Sequence, residues 1–346
     1  MSDIIRVGVI GYGYASKTFH APLIAGTAGM ALAAISSSDE SKVKADWPNV
    51  DVVADPKRLF NDPNIDLIVI PTPNDTHFPL AKAALEAGKH VVVDKPFTVT
   101  LSQARELDAL ARSYGRLLSV FHNRRWDSDF LTLKALLADG ALGEVAYFES
   151  HFDRFRPQVR NRWREQGGPG SGIWYDLAPH LLDQAVNLFG LPVSLTVDLA
   201  QLRPGAQSTD YFHAVLTYPQ RRVVLHGTLL AAAESARYIV HGTRGSYVKY
   251  GLDPQEERLK SGARLPQEDW GYDMSDGVLT RIDGETRREE TWLTLPGNYP
   301  AYYAAIRDAL MGGGENPVPA SQAIRIMELI ELGIESAKHR ATLSLT

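Results

Sequence analysis

The chain is predicted to be α/β: a parallel, doubly wound sheet comes first, and a second domain of α+β character follows. Three observations carry that expectation. Short β-branched runs alternate with helical patterns as far as residue 121, a glycine turn follows the first run, and past a helix at Ser128–Leu137 the strand candidates change texture.

The first strand candidates are Ile4–Ile10, Met30–Ser36, Val50–Ala54, Leu67–Ile70, His90–Val93 and Leu117–Phe121, with the clearest helices at Phe78–Ala87 and Ser102–Ser113. This alternation is the signature of βαβ units. Runs such as Leu67-Ile68-Val69-Ile70 are apolar on both faces, as strands covered by helices on both sides must be. Residues 1–121 therefore read as one Rossmann domain and residues 122–346 as a substrate-binding domain. In the latter, Val145–Phe152, Leu195–Leu202, Phe212–Tyr218, Arg222–Leu230, Tyr238–His241 and Tyr247–Tyr250 alternate in the manner of antiparallel strands. One helix is expected over Trp174–Phe189, long polar loops with at most a short hairpin over Asp253–Glu290, and closing helices at Tyr299–Met311 and Ala320–Arg340.

Composition excludes several classes. The 346 residues are 44% hydrophobic and 22% charged, with 36 Lys and Arg against 41 Asp and Glu, a formal charge of −5. That balance does not favour nucleic acid or an anionic membrane as partner. With no cysteine, disulfides, thiolate metal sites and thiol catalysis are out. Met1-Ser2-Asp3 lacks the basic region of a signal peptide and leads into a strand, and no apolar run nears the roughly 20 residues of a membrane span. The expected location is the cytoplasm.

Gly11-Tyr12-Gly13-Tyr14-Ala15-Ser16 follows a strand and opens a helical stretch, Ser16–Ile24. The first glycine permits the tight turn, the second lets backbone approach a pyrophosphate, and Ser16 stands small where a third glycine is usual. Tyr12 and Tyr14 shield the loop. At the end of the second strand an acid would suit the ribose of NAD and a hydroxyl-rich or basic loop the phosphate of NADP. Ser37, Ser38 and Lys42 fit the phosphate and Asp39 opposes it, unless Ser38-Asp39 serves as a helix cap; the balance leans to NADP. Pro71-Thr72-Pro73-Asn74-Asp75-Thr76-His77 closes the fourth strand, either as a rigid turn capped by Asn74 or Asp75 or as a loop against the nicotinamide and its ribose.

Lys95 stands just past the strand His90–Val93, at the edge of the sheet where ligands bind, with Asp94 beside it and Pro96 stiffening the backbone. In the second domain, Asp176 and His180 stand four apart in the expected helix, so one carboxylate is placed to orient one proton carrier. Among Arg154, Arg156, Arg160, Arg162 and Arg164, interleaved with Phe155 and Trp163, one or two suit a hydroxyl-rich or anionic substrate. Asn123 and Arg124 sit at the domain junction. No histidine pair has HExxH spacing, so no metal site is expected.

Gly11-x-Gly13, Thr72-Pro73-Asn74, Asp94-Lys95-Pro96, Asn123-Arg124-Arg125 and Asp176-x-x-x-His180 occur in the order seen in the Gfo/Idh/MocA oxidoreductases, which this chain resembles over essentially its whole length. The stretches His122–Asp127, Arg162–Glu165 and Tyr175–Leu177 are most similar to the NADP-dependent scyllo-inositol dehydrogenase branch. Two positions depart: Asp94 stands where the family usually has Glu, and Asp39 where that branch often has Arg. The resemblance implies a large open, mostly antiparallel sheet in the second domain, used for a homo-oligomer (dimer or tetramer). It also implies NAD(P)-linked chemistry on a sugar or polyol, inositol-like, hydroxyl or ketone. The implied cofactor residues are Gly11, Gly13, Tyr14, Ser16, Ser37, Ser38, Lys42, Thr72, Pro73, Asn74, His77, Asp94, Lys95 and Asn123. Substrate would meet Lys95, Arg124, Trp163, Arg164, Asp176 and His180, with His180 as base, Lys95 on the reacting oxygen and Asp176 either orienting His180 or holding another substrate hydroxyl. An NAD-using glycosidase, a non-catalytic dinucleotide sensor and an imine or unsaturated-ring reductase are the rival readings on the same fold.

Overall fold

A computed structural model describes residues 4–345; the reading of Met1-Ser2-Asp3 concerns residues outside that range. The chain forms two compact units. The first comprises residues 1–126, 254–270 and 298–327, the second residues 127–253, 271–297 and 328–346. Two segments that follow residue 121, 254–270 and 298–327, join the first unit.

In the first unit six strands, β1 (Ile5–Ile10), β2 (Met30–Ser36), β3 (Asp51–Val53), β4 (Leu67–Ile70), β5 (His90–Asp94) and β6 (Leu118–Phe121), form a sheet in the order β3-β2-β1-β4-β5-β6. All neighbours are parallel. Strand order reverses at β1 and β4, the switch point at which an open α/β sheet leaves a crevice beyond its carboxyl ends. Every residue of β4 and β6 is buried, which explains the unbroken apolar sequence of β4; in β6 the buried Ser119 is the one polar residue. The helix Leu101–Ser113 starts on a capping box in which Thr100 Oγ1 accepts from Gln103 N and Gln103 reaches back to Thr100 N. After β1 the helical stretch is not regular α-helix. A π-helical turn at Ser16–His20 precedes the α-helix Ala21–Ala25, and the amide of Ala21 reaches back to Ser16 O. Pro22 has no N–H to send to Thr18 O, so the regular ladder fails at that point.

The segment 298–327 completes the first unit. Its helix Pro300–Leu310 buries Tyr302 and Tyr303. Tyr302 donates to Ser119 Oγ at 2.8 Å and sets its ring edge-on to Phe121, centroids 4.9 Å apart.

In the second unit nine strands make one sheet: β7 (Val145–His151), β8 (Ser194–Ala200), β9 (Tyr211–Thr217), β10 (Arg222–Thr228), β11 (Tyr238–Gly242), β12 (Gly245–Lys249), β13 (Gly277–Asp283), β14 (Thr286–Trp292) and β15 (Leu343–Ser344). Their order is β14-β13-β12-β11-β7-β10-β9-β8-β15, antiparallel throughout except for the parallel pair β7 and β10. The strict alternation of buried and half-buried residues in β9 marks one face on the core. The helix Ala178–Phe189 packs against it, burying Leu181, Leu182 and Ala185. Where Asp253–Glu290 reads as loops, the structure has the helix Gln255–Lys260 and the hairpin β13–β14. The hairpin is the short one that the sequence allows there; its outer strand, with Thr286-Arg287-Arg288-Glu289-Glu290 exposed at the sheet edge, needs no apolar alternation.

The expected helix Trp174–Phe189 is two. Gly172–Asp176 ends at Leu177, whose backbone (φ −111°, ψ −38°) departs from the helix, and Ala178–Phe189 starts afresh. Pro179 is the cause: its ring would strike the carbonyl of Tyr175 in a continuous helix, whereas in a first turn it is tolerated. Asp176 thus ends one helix and His180 lies in the first turn of the next.

Arg237 is the central buried ion of this unit. It donates from Nε to Asp129 Oδ2 at 2.8 Å, from Nη1 to Ser150 Oγ and from Nη2 to Gln184 Oε1, both at 2.9 Å. We expect Asp129→Ala to lower the unfolding free energy by about 3–5 kcal/mol, because it strands a buried guanidinium. Urea titration of the two proteins checks this; a loss under about 1 kcal/mol would mean that the site admits water.

Candidate active site

At the carboxyl edge of the first sheet, Gly11 takes φ +81°, a conformation open chiefly to glycine. Its amide donates to Ser36 O at 2.7 Å, tying the end of β1 to the end of β2. Ser16 is wholly buried and donates from Oγ to Gly11 O at 2.7 Å, so it stitches the helix start to the glycine turn in addition to packing small. At Gly13 an added Cβ would meet nothing within 4 Å, which leaves backbone accessible where a pyrophosphate would approach. These features fit a dinucleotide.

The tyrosines of the turn have separate partners. Tyr12 donates to Asp46 Oδ2 at 2.8 Å, and the same oxygen receives Lys17 Nζ at 2.7 Å. Tyr14 is half exposed and donates to Glu256 Oε1 at 2.7 Å, while Glu256 Oε2 receives the buried Arg124 at 2.8 Å. Glu256 lies in a stretch read from sequence as loop, and nothing local foretells a partner 132 residues from Arg124.

Beyond β2, Asp39 caps the helix Glu40–Asp46, accepting from Lys42 N at 3.0 Å and Ser41 Oγ at 2.7 Å. Those two hydrogen bonds hold its carboxyl below the usual range. The capping alternative is thus the one seen for Asp39. Ser37 is half-buried, and Ser38 and Lys42 are exposed around it.

After β4 the helix Asn74–Glu86 is capped by neither Asn74 nor Asp75, because Pro73 occupies the cap position. Thr76 Oγ1 instead donates toward Thr72 Oγ1 and Pro73 O, both at 2.6 Å. His77 is wholly buried, with Nδ1 2.8 Å from Pro96 O and Nε2 2.9 Å from Thr72 O. It therefore ties the loop after β4 to the loop after β5. Burial keeps its pKa below the ordinary histidine value, against Asp94 and the carbonyls that favour the cation.

Asp94 closes β5. Its Oδ1 accepts the amide of Lys95 at 2.7 Å, and its Oδ2 lies 3.7 Å from His20 Nε2. Tyr303 OH holds the other nitrogen of His20 at 2.6 Å. Burial alone would raise the carboxyl, but the facing imidazole of His20, with Lys95 and His77 nearby, brings it below the ordinary carboxylate value. Lys95 itself is half-buried and joined to Pro96 by a cis peptide; Asn123 is buried in the short 3₁₀ turn Asn123–Trp126 after β6. Gly11, Ser37, Thr72, Lys95 and Asn123 thus all follow the carboxyl ends of strands in one parallel sheet.

In the second unit, Arg164 lies with Nε 3.8 Å from Asp176 Oδ1 and its guanidinium over the ring of Trp163, 4.9 Å from the centroid. A pocket is lined by Arg154, Arg156, Arg162, Arg164 and Asp176. Two residues that sequence reading passed over shape it. Glu165 is buried between Arg162 (2.6 Å) and Arg203 (3.0 Å), and Arg203 also bonds Asp210 and the carbonyls of Arg156 and Gln158. Burial and the charges of Arg162 and Arg160 disfavour the cation of Arg156. His180, in the first turn of its helix, is buried with its ring stacked at 6.5 Å on Phe152.

Two family models divide the chain between them. Residues 5–122 match the NAD-binding Rossmann fold of the Gfo/Idh/MocA oxidoreductases, and residues 134–345 match the C-terminal alpha/beta domain of the same group. The chain belongs to the Gfo/Idh/MocA family. It is an oxidoreductase with an NAD-binding Rossmann domain, as the resemblance in the sequence implied. Among its relatives, the Escherichia coli (strain K12) oxidoreductase YdgJ is 88% identical over 345 residues, 100% of both chains. The scyllo-inositol 2-dehydrogenase (NADP(+)) IolW of Bacillus subtilis is 38% identical, the match covering 99% of this chain and 96% of IolW. The solved structure of the Yersinia pestis oxidoreductase YPO2259 superposes with a TM-score of 0.97 at 70% identity, covering 100% of this chain and 98% of that one.

For this Gfo/Idh/MocA protein, Gly13→Ala is expected to leave stability within about 0.5 kcal/mol of wild type, since the new methyl has open space. It should nonetheless weaken dinucleotide binding measurably in fluorescence titration; equal affinity would move the pyrophosphate away from Gly13. A second expectation concerns Asp94. Its folded pKa lies below the unfolded value of about 3.9, so its contribution is complete above that pH and vanishes as pH falls through the folded value. The stability gap between wild type and Asp94→Asn should hold steady at neutral pH and narrow in acid; a gap independent of pH would show that Asp94 stabilises by packing alone.

Proposed function

We propose that this oxidoreductase interconverts a hydroxyl and a ketone on a sugar or polyol of the inositol type, using NADP or NAD, with NADP preferred. The observation that carries the reading is the placement of Lys95 just past β5, on the same carboxyl edge as the glycine turn after β1. The 38% identity to an enzyme named as a scyllo-inositol dehydrogenase supports the substrate class and the cofactor. Asp39, whose carboxylate is already bonded to its own helix, leaves Ser37, Ser38 and Lys42 for a 2′-phosphate.

In this proposal Gly11, Gly13, Tyr14 and Ser16 hold the dinucleotide at its pyrophosphate. Thr72, Pro73, Asn74 and Asn123 hold it toward the nicotinamide, with His77 and Asp94 positioning that edge from within the protein. When bound, the nicotinamide supplies the redox chemistry. Lys95 donates a hydrogen bond to the reacting oxygen and stabilises its developing negative charge. His180 takes the hydroxyl proton in the oxidative direction and returns it in the reductive one. Asp176 and Arg164, paired on each other, hold a further substrate hydroxyl, and Arg124 and Trp163 complete the substrate contacts. The proposal includes a cytoplasmic location and a homo-oligomer, dimer or tetramer, through the nine-stranded sheet. In favour of the latter, Val278 and Ile282 are exposed on β13, and Ile239 and Val248 are only half-buried on β11 and β12. Light scattering that gave a monomer would remove that part.

The decisive assay mixes the protein with NADP⁺ or NAD⁺ and a panel of inositols and aldoses, following absorbance of the reduced nicotinamide. Turnover with inositols and NADP⁺ is expected. Glycoside cleavage without net cofactor reduction, or dinucleotide binding with no turnover at all, would overturn the reading. His180→Ala should lower kcat by roughly 10²–10⁴-fold with dinucleotide affinity near wild type. Lys95→Ala should be at least as damaging; retained activity there would remove the central assignment.

A further inference from the structure

Three histidines of the second unit stand on one rung of its sheet. His226 of β10 is in register with His151 of β7 on one side and with His213 of β9 on the other. All three alternate with the buried residues of their strands and are half-buried themselves. Asp153, two residues past His151, turns back onto the rung. Its Oδ2 lies 3.1 Å from His151 Nδ1 and its Oδ1 3.7 Å from His226 Nε2, and Thr228 N donates to Oδ1 at 3.2 Å. One ligand atom from each of His151, Asp153 and His226 lies within 4.8 Å of the other two.

The far side of each ring is also engaged. His151 Nε2 donates to Glu149 Oε1 at 2.7 Å, and Tyr147 OH donates to the other oxygen of Glu149. His226 Nδ1 faces His213 Nδ1 at 3.4 Å. Two carboxylates therefore face one imidazole, one at each nitrogen of His151, and a neutral ring carries a proton for only one of them. An imidazolium satisfies both, and so does a ring that gives its proton to Glu149 and its Nδ1 lone pair to a cation shared with Asp153.

We propose that His151 Nδ1, His226 Nε2 and a carboxylate oxygen of Asp153 form a binding site for a divalent transition cation of the zinc class, separate from the dehydrogenase chemistry. Neighbouring ligands of a tetrahedral zinc, each about 2.0–2.1 Å from the ion, stand about 3.3 Å apart. His151 Nδ1 stands 3.1 Å from Asp153 Oδ2 and His226 Nε2 stands 3.7 Å from Asp153 Oδ1, with one ligand atom from each residue within 4.8 Å of the other two, so side-chain rotations that draw these atoms inward close the site. Glu149 then orients His151 and His213 orients His226, the outer partners that ligating imidazoles require. Two nitrogen donors favour zinc over magnesium, which prefers oxygen. Sequence inspection for HExxH cannot find this site, because its two histidines sit on separate strands joined only by sheet register, with Asp153 just past one of them.

The test uses the full chain without an affinity tag, freed of metal with a chelator, and titrates Zn²⁺ calorimetrically, with Mg²⁺ as the comparison. One Zn²⁺ per chain at micromolar concentration and no response to Mg²⁺ is the expected result. The double variant Asp153→Asn with His226→Gln should abolish it, and Zn²⁺ should raise the thermal midpoint of the wild type alone. Should that double variant fail to fold, Glu149→Gln keeps all three ligands and should weaken binding by about 10–100-fold. Absence of saturable binding, binding that survives the double substitution, or unchanged affinity in Glu149→Gln would each overturn the proposal.

Discussion

Asp94 is a charge buried at the end of a central strand, and such a charge is tolerated only where it is paired and hydrogen-bonded. Its solution reaches across the first unit. One oxygen takes the amide of Lys95 and so sets the direction in which the chain leaves β5; the other faces His20, in the π-helical turn after the glycine loop. Tyr303 holds His20 in turn, which gives the segment 298–327 a reason to complete a domain that begins some 300 residues earlier. The aromatic packing of Tyr302 and Phe121 reinforces the same junction. The glycine turn, the lysine and the remote helix are therefore parts of one polar arrangement.

His77 acts in a similar way from the helix that follows β4. It contacts the backbone carbonyls of Thr72 and Pro96, so two loops that carry proposed cofactor contacts are held to each other by a ring with no surface of its own. A residue of this kind influences chemistry only through the positions of others.

The second unit solves its polar burial with arginine. Arg237 knits Asp129, Ser150 and Gln184, and Arg203 knits Glu165, Asp210 and two backbone carbonyls. Planar guanidinium suits such junctions because it offers five donors in fixed directions. The rigidity gained around Arg203 positions the outer arginines, Arg154, Arg156, Arg162 and Arg164, around one pocket with Asp176.

From sequence alone the parallel sheet, the places where its strands end, the glycine turn and Lys95 were all legible, because each rests on local rules: burial on two faces, turn stereochemistry and the carboxyl edge of a sheet. Local rules also misled. The pattern over Trp174–Phe189 is helical throughout, yet the chain breaks at Leu177 and Pro179 stands in the first turn of a new helix, the place its ring favours. The helix Gln255–Lys260 stands where the polar sequence reads as loop. Tertiary structure alone decided that Glu256 meets Tyr14 and Arg124, that His20 faces Asp94, and that His151, His213 and His226 share a rung. Those pairings join residues far apart in the chain, and no periodicity records them; only closure of the sheets and burial of the charges bring them together.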